Sequence, residues 1–183
     1  MTHTVEKVRT ADDTTPAAWI GCLACYNAGR LVGEWHKGAD ALEEFTPPDD
    51  CAAVGHEEFW VMEHENMGSI LECSPLEAYQ IARALEELYK TADDVGVPHG
   101  IAAQYVTDSN APRDAWPSIE NVVTFESFED YAAEMLEASL PHGFELPAWL
   151  QINYEDTGRE LLEYDHTIYC DAETFTFYAF PNY

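Results

Sequence analysis

The excess of acidic residues is the property that most restricts what this chain can fold into. The 183 residues include 35 Asp and Glu against 8 Lys and Arg, for a formal net charge of −27 at pH 7. A compact state with this charge repels itself, so apolar burial has to outweigh the repulsion. Apolar residues make up 46% of the chain and aromatic residues 13%. This is too apolar for a disordered acidic segment, so we expect a folded protein.

The shortage of bases extends through the whole chain and is not confined to a charged tail. No Lys or Arg lies between Lys37 and Arg83, between Arg113 and Arg159, or after Arg159. Such a surface should repel nucleic acid and anionic membranes and attract basic surfaces, of which DNA- and RNA-binding clefts are the largest. Solubility and adaptation to high salt are the alternatives, although Glu outnumbers Asp, which argues against salt adaptation.

Turn, cap and periodicity signals predict an α+β chain of three small domains. A flexible tail at 1–16 precedes an N-terminal domain at 17–66, built on an antiparallel sheet. A central helical domain is expected at 67–112, and a C-terminal domain with helices and a β-hairpin at 113–183.

The elements within these domains follow from local patterns. Strands are predicted at 18–26, 31–36, 58–65, 167–170 and 174–180. Helices are predicted at 39–45, 75–89, 98–106, 128–138 and 154–164, with Ser74, Ser127 and Asn153 as N-caps. A cap followed three residues later by an acidic residue is a typical helix start.

The C-x-x-C motif at Cys22–Cys25 suggests a metal or redox site at first sight. Zinc sites with this motif normally have a second ligand pair at defined spacing, and we find none. On a strand at 18–26, Cys22 and Cys25 would face opposite sides. We therefore expect packing cysteines and no metal site.

The cysteine number and the N-terminal sequence bear on the compartment. Five cysteines without framework spacing do not suggest a secreted disulfide scaffold. The N-terminus lacks a basic segment followed by an apolar core, and the apolar run at 17–26 is about half a membrane span. We expect a soluble, reduced, cytoplasmic protein.

Two acidic stripes stand out in the third domain. On the helix at 128–138, Asp130, Glu134 and Glu137 follow i, i+4, i+7 spacing. The helix at 154–164 repeats the spacing with the acids Asp156, Glu160 and Glu163, beside Arg159. Like charges at this spacing cost a helix roughly 0.2–0.5 kcal/mol per pair, so the stripes are either tolerated solvated faces or serve a partner.

The charge density of these stripes can be compared with that of DNA. A helix advances about 10 Å from Asp130 to Glu137, and a duplex shows about six charges over that length. One helix is too sparse to imitate DNA, but several acidic elements side by side could approach the density. The net charge of −27 matches the phosphates of roughly 13 base pairs.

Enzyme signatures are lacking in the sequence. The histidines are scattered, and no H-E-x-x-H, nucleophile elbow, P-loop, G-x-G-x-x-G or calcium-loop spacing occurs. Acidic pairs are too numerous to single out an acid/base couple. We expect no catalytic residues, no cofactor and no enzymatic activity, and the missing basic footprint argues against direct binding of nucleic acid.

The segment CLACYNAGRLVGEW, from Cys22 to Trp35, resembles the N-terminal hairpin of the ArdA antirestriction family, with its pattern C-L-A-x-Y-N-x-G-x-L-x-G-x-W. The similarity extends through Phe59-Trp60, the central helix, 127–136, 161–165 and the terminal aromatic hairpin, and covers most of residues 18–180. The hairpin string is specific, whereas any acidic helix resembles the acidic segments. The chain departs from the family at residues 1–16 and in a Pro/Asp-rich loop at 46–55.

The resemblance implies a protein of a plasmid, phage or transposon that forms an elongated homodimer and imitates bent B-form DNA. It would occupy the DNA-binding cleft of a type I restriction-modification complex, against its specificity and methyltransferase subunits, and protect incoming DNA from cleavage. Whether methylation is blocked as well stays open. The resemblance also places a dimer contact in the third domain, near an antirestriction segment that corresponds to Leu161–Asp165.

Carboxylates would then stand in for phosphates. The candidate partner-binding residues are Asp130, Glu134, Glu137, Asp156, Glu160, Glu163, Asp165, Glu34, Glu43, Glu44, Glu86 and Glu87. The alternative is an acidic or salt-adapted domain without a DNA-cleft partner, which would not compete with DNA for any restriction complex. A carboxylate metalloenzyme is a third hypothesis, which would show tightly bound stoichiometric metal.

Overall fold

The computed structural model describes residues 6–8, 14–68, 72–109, 111 and 116–182. The strands are β1 Glu6–Val8, β2 Ala17–Cys22, β3 Gly33–Lys37, β4 Phe59–Glu65, β5 Val123–Phe125, β6 His166–Asp171 and β7 Phe177–Pro181. The helices are α1 Leu23–Asn27, α2 Ala39–Glu43, α3 Asp49–Ala52, α4 Pro75–Val95, α5 His99–Asp108, α6 Phe128–Ser139 and α7 Tyr154–Glu163. The mixture of helices and mainly antiparallel sheets confirms the α+β class.

The chain divides into two compact units. Unit 1 comprises residues 1–10 and 117–183, and unit 2 comprises residues 11–116. The predicted boundary between 66 and 67 lies within unit 2, and the division into three domains stays a prediction. No described helix combines the length and apolar character that crossing a membrane requires.

Unit 2 is built on an antiparallel sheet with the order β3-β2-β4. The central strand β2 pairs with β3 on one side and with β4 on the other. It buries Ala18 and Ile20, which join Val61 of β4 in the core. The long helix α4 supplies Ile81 and Leu85 to the same core. A single hydrophobic cluster therefore joins the sheet to the central helix.

Helix α4 begins and ends at strong local signals. Ser74 accepts a hydrogen bond from the N–H of Glu77, and the Glu77 carboxylate accepts one from the N–H of Ser74, so the predicted capping box is present. The helix runs to Val95, past the predicted end at Tyr89, and stops at Gly96, whose φ of 71° is left-handed. Glycine adopts this conformation without steric penalty, which makes it a common helix terminator.

The prediction of one strand over 18–26 is wrong. Strand β2 ends at Cys22, and the chain turns directly into the short helix α1. The Cys22 side chain accepts a hydrogen bond from the N–H of Cys25 and acts as the N-cap of α1. Cys25 consequently lies on a helical turn, so the side-chain alternation of a strand does not apply to this pair.

Unit 1 contains a second sheet, with the order β1-β6-β7-β5. Strands β6 and β7 form the predicted terminal hairpin, while β1 pairs parallel to β6 within the stretch predicted as a tail. The other residues of that stretch up to 13 lie outside the described part of the chain. Helices α6 and α7 pack against each other, and Phe125, Phe128 and Leu162 are buried in the core of this unit.

Candidate functional site

Helix α6 presents acids on the side away from its buried residues. Phe128 and Ala132 are buried, while Glu134 and Glu137 are exposed. The apolar side chain of Met135 is 44% exposed. The core of unit 1 therefore covers the first half of α6, and its second half, where two of the three stripe acids lie, is largely open to solvent.

The first acid of the α6 stripe hydrogen-bonds to the N-cap residue of the helix. Ser127 is the N-cap, as predicted, and accepts a hydrogen bond from the N–H of Asp130 at 3.0 Å. The Ser127 hydroxyl in turn donates to the Asp130 carboxylate at 2.6 Å. A negative charge in the first helical turn is stabilised by the helix dipole, so Asp130 contributes to folding as well as to the surface charge.

Helix α7 repeats this arrangement. Asn153 is the N-cap, accepts a hydrogen bond from the N–H of Asp156, and donates its amide to the Asp156 carboxylate. Asp156 and Glu160 are exposed, and Glu163 is half-buried. The two stripes thus lie on neighbouring helices of the same unit, and each begins with an aspartate bonded to the N-cap residue.

Arg159 lies beside the α7 stripe in the sequence, but its side chain contacts other groups. Its guanidinium donates to the Glu155 carboxylate at 2.8 Å, and it lies 4.3 Å above the centre of the Phe128 ring. These contacts hold the arginine between α7 and the first turn of α6. The single base of this helix is therefore paired with an acid outside the stripe.

Tyr131 shows that the α6 stripe acts electrostatically on its surroundings. Burial raises the pKa of the Tyr131 hydroxyl, and the nearby charge of Glu134 raises it further. A negative charge disfavours a second one close by.

The five candidate acids of unit 2 are in varied surroundings. Glu43 and Glu44 are exposed at the end of α2, and Glu34 is exposed on β3, 3.6 Å from the His36 ring. Glu87 lies 3.6 Å from Arg83. Glu86 is half-buried, and its carboxylate accepts a hydrogen bond from the N–H of Ala39 at 2.8 Å. Glu86 therefore has a structural contact that the sequence did not reveal.

The segment Leu161–Asp165 ends α7 and leads into β6. Asp165 is exposed, and its backbone carbonyl accepts a hydrogen bond from the N–H of Asn182. Leu161 is 49% exposed and Tyr164 84% exposed, although both are large and apolar in part. Exposed aromatic and aliphatic side chains close together are typical of protein contact surfaces.

A separate group of side chains lies in unit 2, and the sequence analysis missed it. The ligand atoms of Cys22, Cys25, Cys51 and His56 all lie within 4.8 Å of one another. The expectation that Cys22 and Cys25 face apart, with no second pair nearby, is therefore wrong. The signal for this cluster in the sequence is the pattern Cys51-x₄-His56, which supplies a second pair of ligands.

The thiols of this cluster affect one another. Burial, hydrogen bonds with Cys25 and Cys22, and the charges of those thiols raise the pKa of Cys51 to about 12. Burial also acts to raise the pKa of Cys22, but hydrogen bonds, chiefly from the N–H of Cys25, outweigh it and lower the pKa. Of these two thiols, Cys22 is therefore the one whose surroundings favour the thiolate.

A comparison with known protein families covers both the N-terminal segment that resembles ArdA and the acidic helices. The family model described as "Antirestriction protein (ArdA)" matches residues 18–175. The chain belongs to the ArdA antirestriction family. The match runs from β2 through both acidic helices and into the turn after β6, so it includes every candidate carboxylate. A search of curated proteins finds no match.

Family membership supports an antirestriction function and an interaction with restriction-modification enzymes. ArdA is a family of antirestriction proteins and is not known as a family of enzymes. The absence of catalytic activity in this chain stays an expectation, as do its cytoplasmic location and its origin on a mobile element.

Proposed function

We propose that this ArdA protein is a DNA mimic that occupies the DNA-binding cleft of type I restriction-modification enzymes. Its carboxylates take the places of backbone phosphates against the Lys and Arg of the cleft, and incoming DNA escapes cleavage. The observation that carries the proposal is the pair of exposed acidic stripes on the neighbouring helices α6 and α7.

Electrostatics explains how such a surface would compete with DNA. Complementary charge accelerates encounter, and association releases ions from both surfaces. Exposed ion pairs contribute about 0.2–1 kcal/mol each, so affinity arises from many small terms and no single residue dominates. The binding surface makes and breaks no covalent bond.

The stripe glutamates are the best candidates for direct contact. Glu134, Glu137 and Glu160 are exposed, and Glu163 is half-buried on the same helix as Glu160. Asp130 and Asp156 contribute charge but also hydrogen-bond to the N-cap residues of their helices. Among the acids of unit 2, Glu34, Glu43, Glu44 and Glu87 are further candidates for contact, and the contact of Glu86 with α2 makes it the weakest candidate.

The proposed partners are the specificity and methyltransferase subunits of the type I complex, since these contact DNA. The protein would not bind nucleic acid itself, because a net charge of −27 repels phosphates. Inhibition of methylation would follow if the same cleft serves both reactions.

We also propose a homodimer with its contact near Leu161–Asp165. The exposure of Leu161 and Tyr164 supports it, because soluble monomers rarely expose adjacent large apolar side chains to solvent. The double substitution Leu161→Glu/Tyr164→Glu should convert the dimer to a monomer in sedimentation velocity while leaving helix content unchanged. A wild-type chain that sediments as a monomer at micromolar concentration contradicts the dimer.

A cleavage assay with matched variants tests the mimicry. The test variant replaces Glu134, Glu137, Glu160 and Glu163 by Gln. It leaves Asp130 and Asp156 unchanged. The control replaces the exposed Glu63, Glu65, Glu72 and Glu173 by Gln and changes net charge equally. Cleavage of unmodified plasmid by a type I enzyme should need about 10-fold more test variant for half inhibition, as four charge terms of about 0.35 kcal/mol each sum to about 1.4 kcal/mol.

The control variant should inhibit almost as well as the wild type. Equal losses in the two variants would show that only net charge matters and that α6 and α7 form no specific surface. If the wild type neither inhibits cleavage nor competes with target duplex for the enzyme, the alternative of an acidic domain without a DNA-cleft partner is correct.

A further inference from the structure

Four side chains of metal-ligating type converge in unit 2, and none of them belongs to the candidate carboxylates. Cys22 lies at the junction of β2 and α1, and Cys25 lies on α1. Cys51 comes from α3, and His56 follows the turn after α3. The three cysteines are buried and His56 is half-buried. Two chain segments distant in sequence therefore contribute two ligands each.

The sulfur–sulfur distance between Cys25 and Cys51 matches a tetrahedral zinc site, and two nitrogen–sulfur distances are slightly shorter than in such a site. With Zn–S near 2.3 Å and Zn–N near 2.0–2.1 Å, tetrahedral ligands are separated by about 3.8 Å for two sulfurs and about 3.6 Å for sulfur and nitrogen. The sulfurs of Cys25 and Cys51 are 3.7 Å apart. His56 Nδ1 lies 3.2 Å from the Cys22 sulfur and 3.4 Å from the Cys25 sulfur.

The sulfurs of Cys22 and Cys25 each accept a hydrogen bond from a neighbouring N–H group. The N–H of Cys25 donates to the Cys22 sulfur at 3.5 Å, and the Arg30 guanidinium donates to the Cys25 sulfur at 3.5 Å. Three thiolates and one Zn²⁺ leave a net negative charge, which Arg30 offsets. Hydrogen bonds of this kind orient and stabilise metal ligands.

The second pair of ligands is held by a tight turn. The N–H of His56 donates to the backbone carbonyl of Cys51 at 3.0 Å, and Gly55 between them has a φ of 75°. Glycine permits this left-handed conformation. The turn places the His56 ring close to the Cys51 sulfur, so that both belong to the same cluster.

We propose that Cys22, Cys25, Cys51 and His56 bind one structural Zn²⁺ ion. Thiolate and imidazole ligands in a tetrahedral arrangement select zinc among the common divalent metals. Four protein ligands fill the coordination sphere and leave no open position for a substrate, which makes the site structural and not catalytic. It is separate from the proposed mimicry, which resides in the carboxylates.

The ion would stabilise parts of unit 2 that have little support of their own. Helix α1 has 5 residues and α3 has 4, and helices this short are unstable in isolation. The Pro/Asp-rich loop at 46–55 includes α3 and would be fastened by the metal to the end of β2. Metal binding to a preformed set of ligands contributes directly to folding free energy.

Two other readings of the cluster make different predictions. A disulfide between Cys25 and Cys51 needs sulfurs near 2.05 Å, against the 3.7 Å observed. Packing cysteines need neither a histidine nor nitrogen–sulfur contacts. Cys73 and Cys170 are buried cysteines outside the cluster and provide matched controls.

Metal analysis of the purified full-length chain tests the proposal. The protein is made in zinc-supplemented medium, freed of any histidine tag, kept reduced, and dialysed without chelator. Mass spectrometry of the metal content should give about one zinc per chain. Cys51→Ser and His56→Ala should lose most of it, whereas Cys73→Ser and Cys170→Ser should keep it.

Two further measurements guard against misfolded variants. His56→Cys should retain zinc, because a fourth thiolate completes a Cys₄ site. Treatment of the wild type with a zinc chelator should lower its thermal midpoint by about 5 °C or more, and added Zn²⁺, but not Mg²⁺, should restore it.

The proposal is overturned if the reduced wild-type protein holds less than about 0.1 zinc per chain after incubation with Zn²⁺ and dialysis. It is also overturned if intact mass shows a Cys25–Cys51 disulfide in protein purified without air, or if Cys73→Ser loses zinc as fully as Cys51→Ser. None of these readouts uses restriction, so their outcome is independent of the mimicry.

Discussion

Individual carboxylates on α6 and α7 have different roles despite their shared charge. Asp130 and Asp156 exchange hydrogen bonds with their N-cap residues, and an acid in the first helical turn contributes about 0.3–1 kcal/mol through the helix dipole. The stripe glutamates lie further along each helix, beyond the cap. Substitution of the aspartates would therefore mix a loss of stability with a loss of charge, which is why the proposed test variant leaves them unchanged.

Gly158 is a residue whose removal should destabilise the protein against helix propensity. A Cβ at this position would lie 2.0 Å from the Phe128 carbonyl oxygen, so α7 can approach the start of α6 only without a side chain here. Alanine normally favours a helix over glycine by roughly 0.8–1.0 kcal/mol. Overpacking against a backbone atom costs typically 1–3 kcal/mol and dominates.

We expect Gly158→Ala to lower the free energy of unfolding by about 1–2 kcal/mol in urea denaturation. The exposed Ala133 in the middle of α6 serves as the reference for propensity, since Ala133→Gly should cost about 1 kcal/mol without any clash. A Gly158→Ala variant more stable than the wild type would show that α6 and α7 do not touch at this point.

At the scale of elements, the acidic stripe of α6 should cost stability. Glu134 lies four residues after Asp130 and three before Glu137, and both glutamates are exposed. Like charges at these spacings destabilise a helix by roughly 0.2–0.5 kcal/mol per pair. Glu134→Gln/Glu137→Gln should therefore raise the free energy of unfolding by about 0.5 kcal/mol while weakening inhibition of the restriction enzyme.

Thermal unfolding and the cleavage assay, run on the same preparation, check whether the α6 double variant is more stable and also a weaker inhibitor. Glu63→Gln/Glu65→Gln on β4 removes two exposed acids outside the candidate set and should leave inhibition unchanged. If the α6 double variant becomes more stable yet inhibits as well as the wild type, its stripe is only a solvated face.

Helices with caps could be predicted from the sequence, and short elements could not. Ser74, Ser127 and Asn153 start the helices predicted from them, because a cap and an amphipathic period act locally. Helix α1 has 5 residues, too few for a period to show, so its apolar residues were read as strand. The cysteine cluster was missed for the same reason, since it exists only because Cys25 lies on that turn.

The acidic surface was predictable only in part. The sequence spacing located the stripes, since i, i+4 positions share a helix face. It could not show that Arg159 lies over the Phe128 ring of α6 or that Glu86 contacts Ala39. Those contacts depend on neighbouring side chains and on tertiary packing, which spacing along one element does not encode.

At the scale of the whole molecule, the net charge of −27 should give salt opposite effects on stability and on binding. Salt screens repulsion within the folded chain, because the Debye length falls from about 10 Å at 0.1 M to about 5 Å at 0.4 M. The thermal midpoint should therefore rise over this range. Attraction to a basic cleft is screened by the same ions, so the affinity for the type I complex should fall.

We expect the protein to be fully folded at 0.1 M NaCl and to bind the purified type I methyltransferase complex at least 10-fold more weakly at 0.4 M, as measured by anisotropy of the labelled protein. The stripe variant with Gln at 134, 137, 160 and 163 should show a shallower salt dependence, because fewer ion contacts form. A salt-adapted domain behaves differently: it needs high salt to fold and shows no binding to lose. Unfolding at 0.1 M, or an affinity unaffected by salt, would therefore refute the electrostatic mimicry.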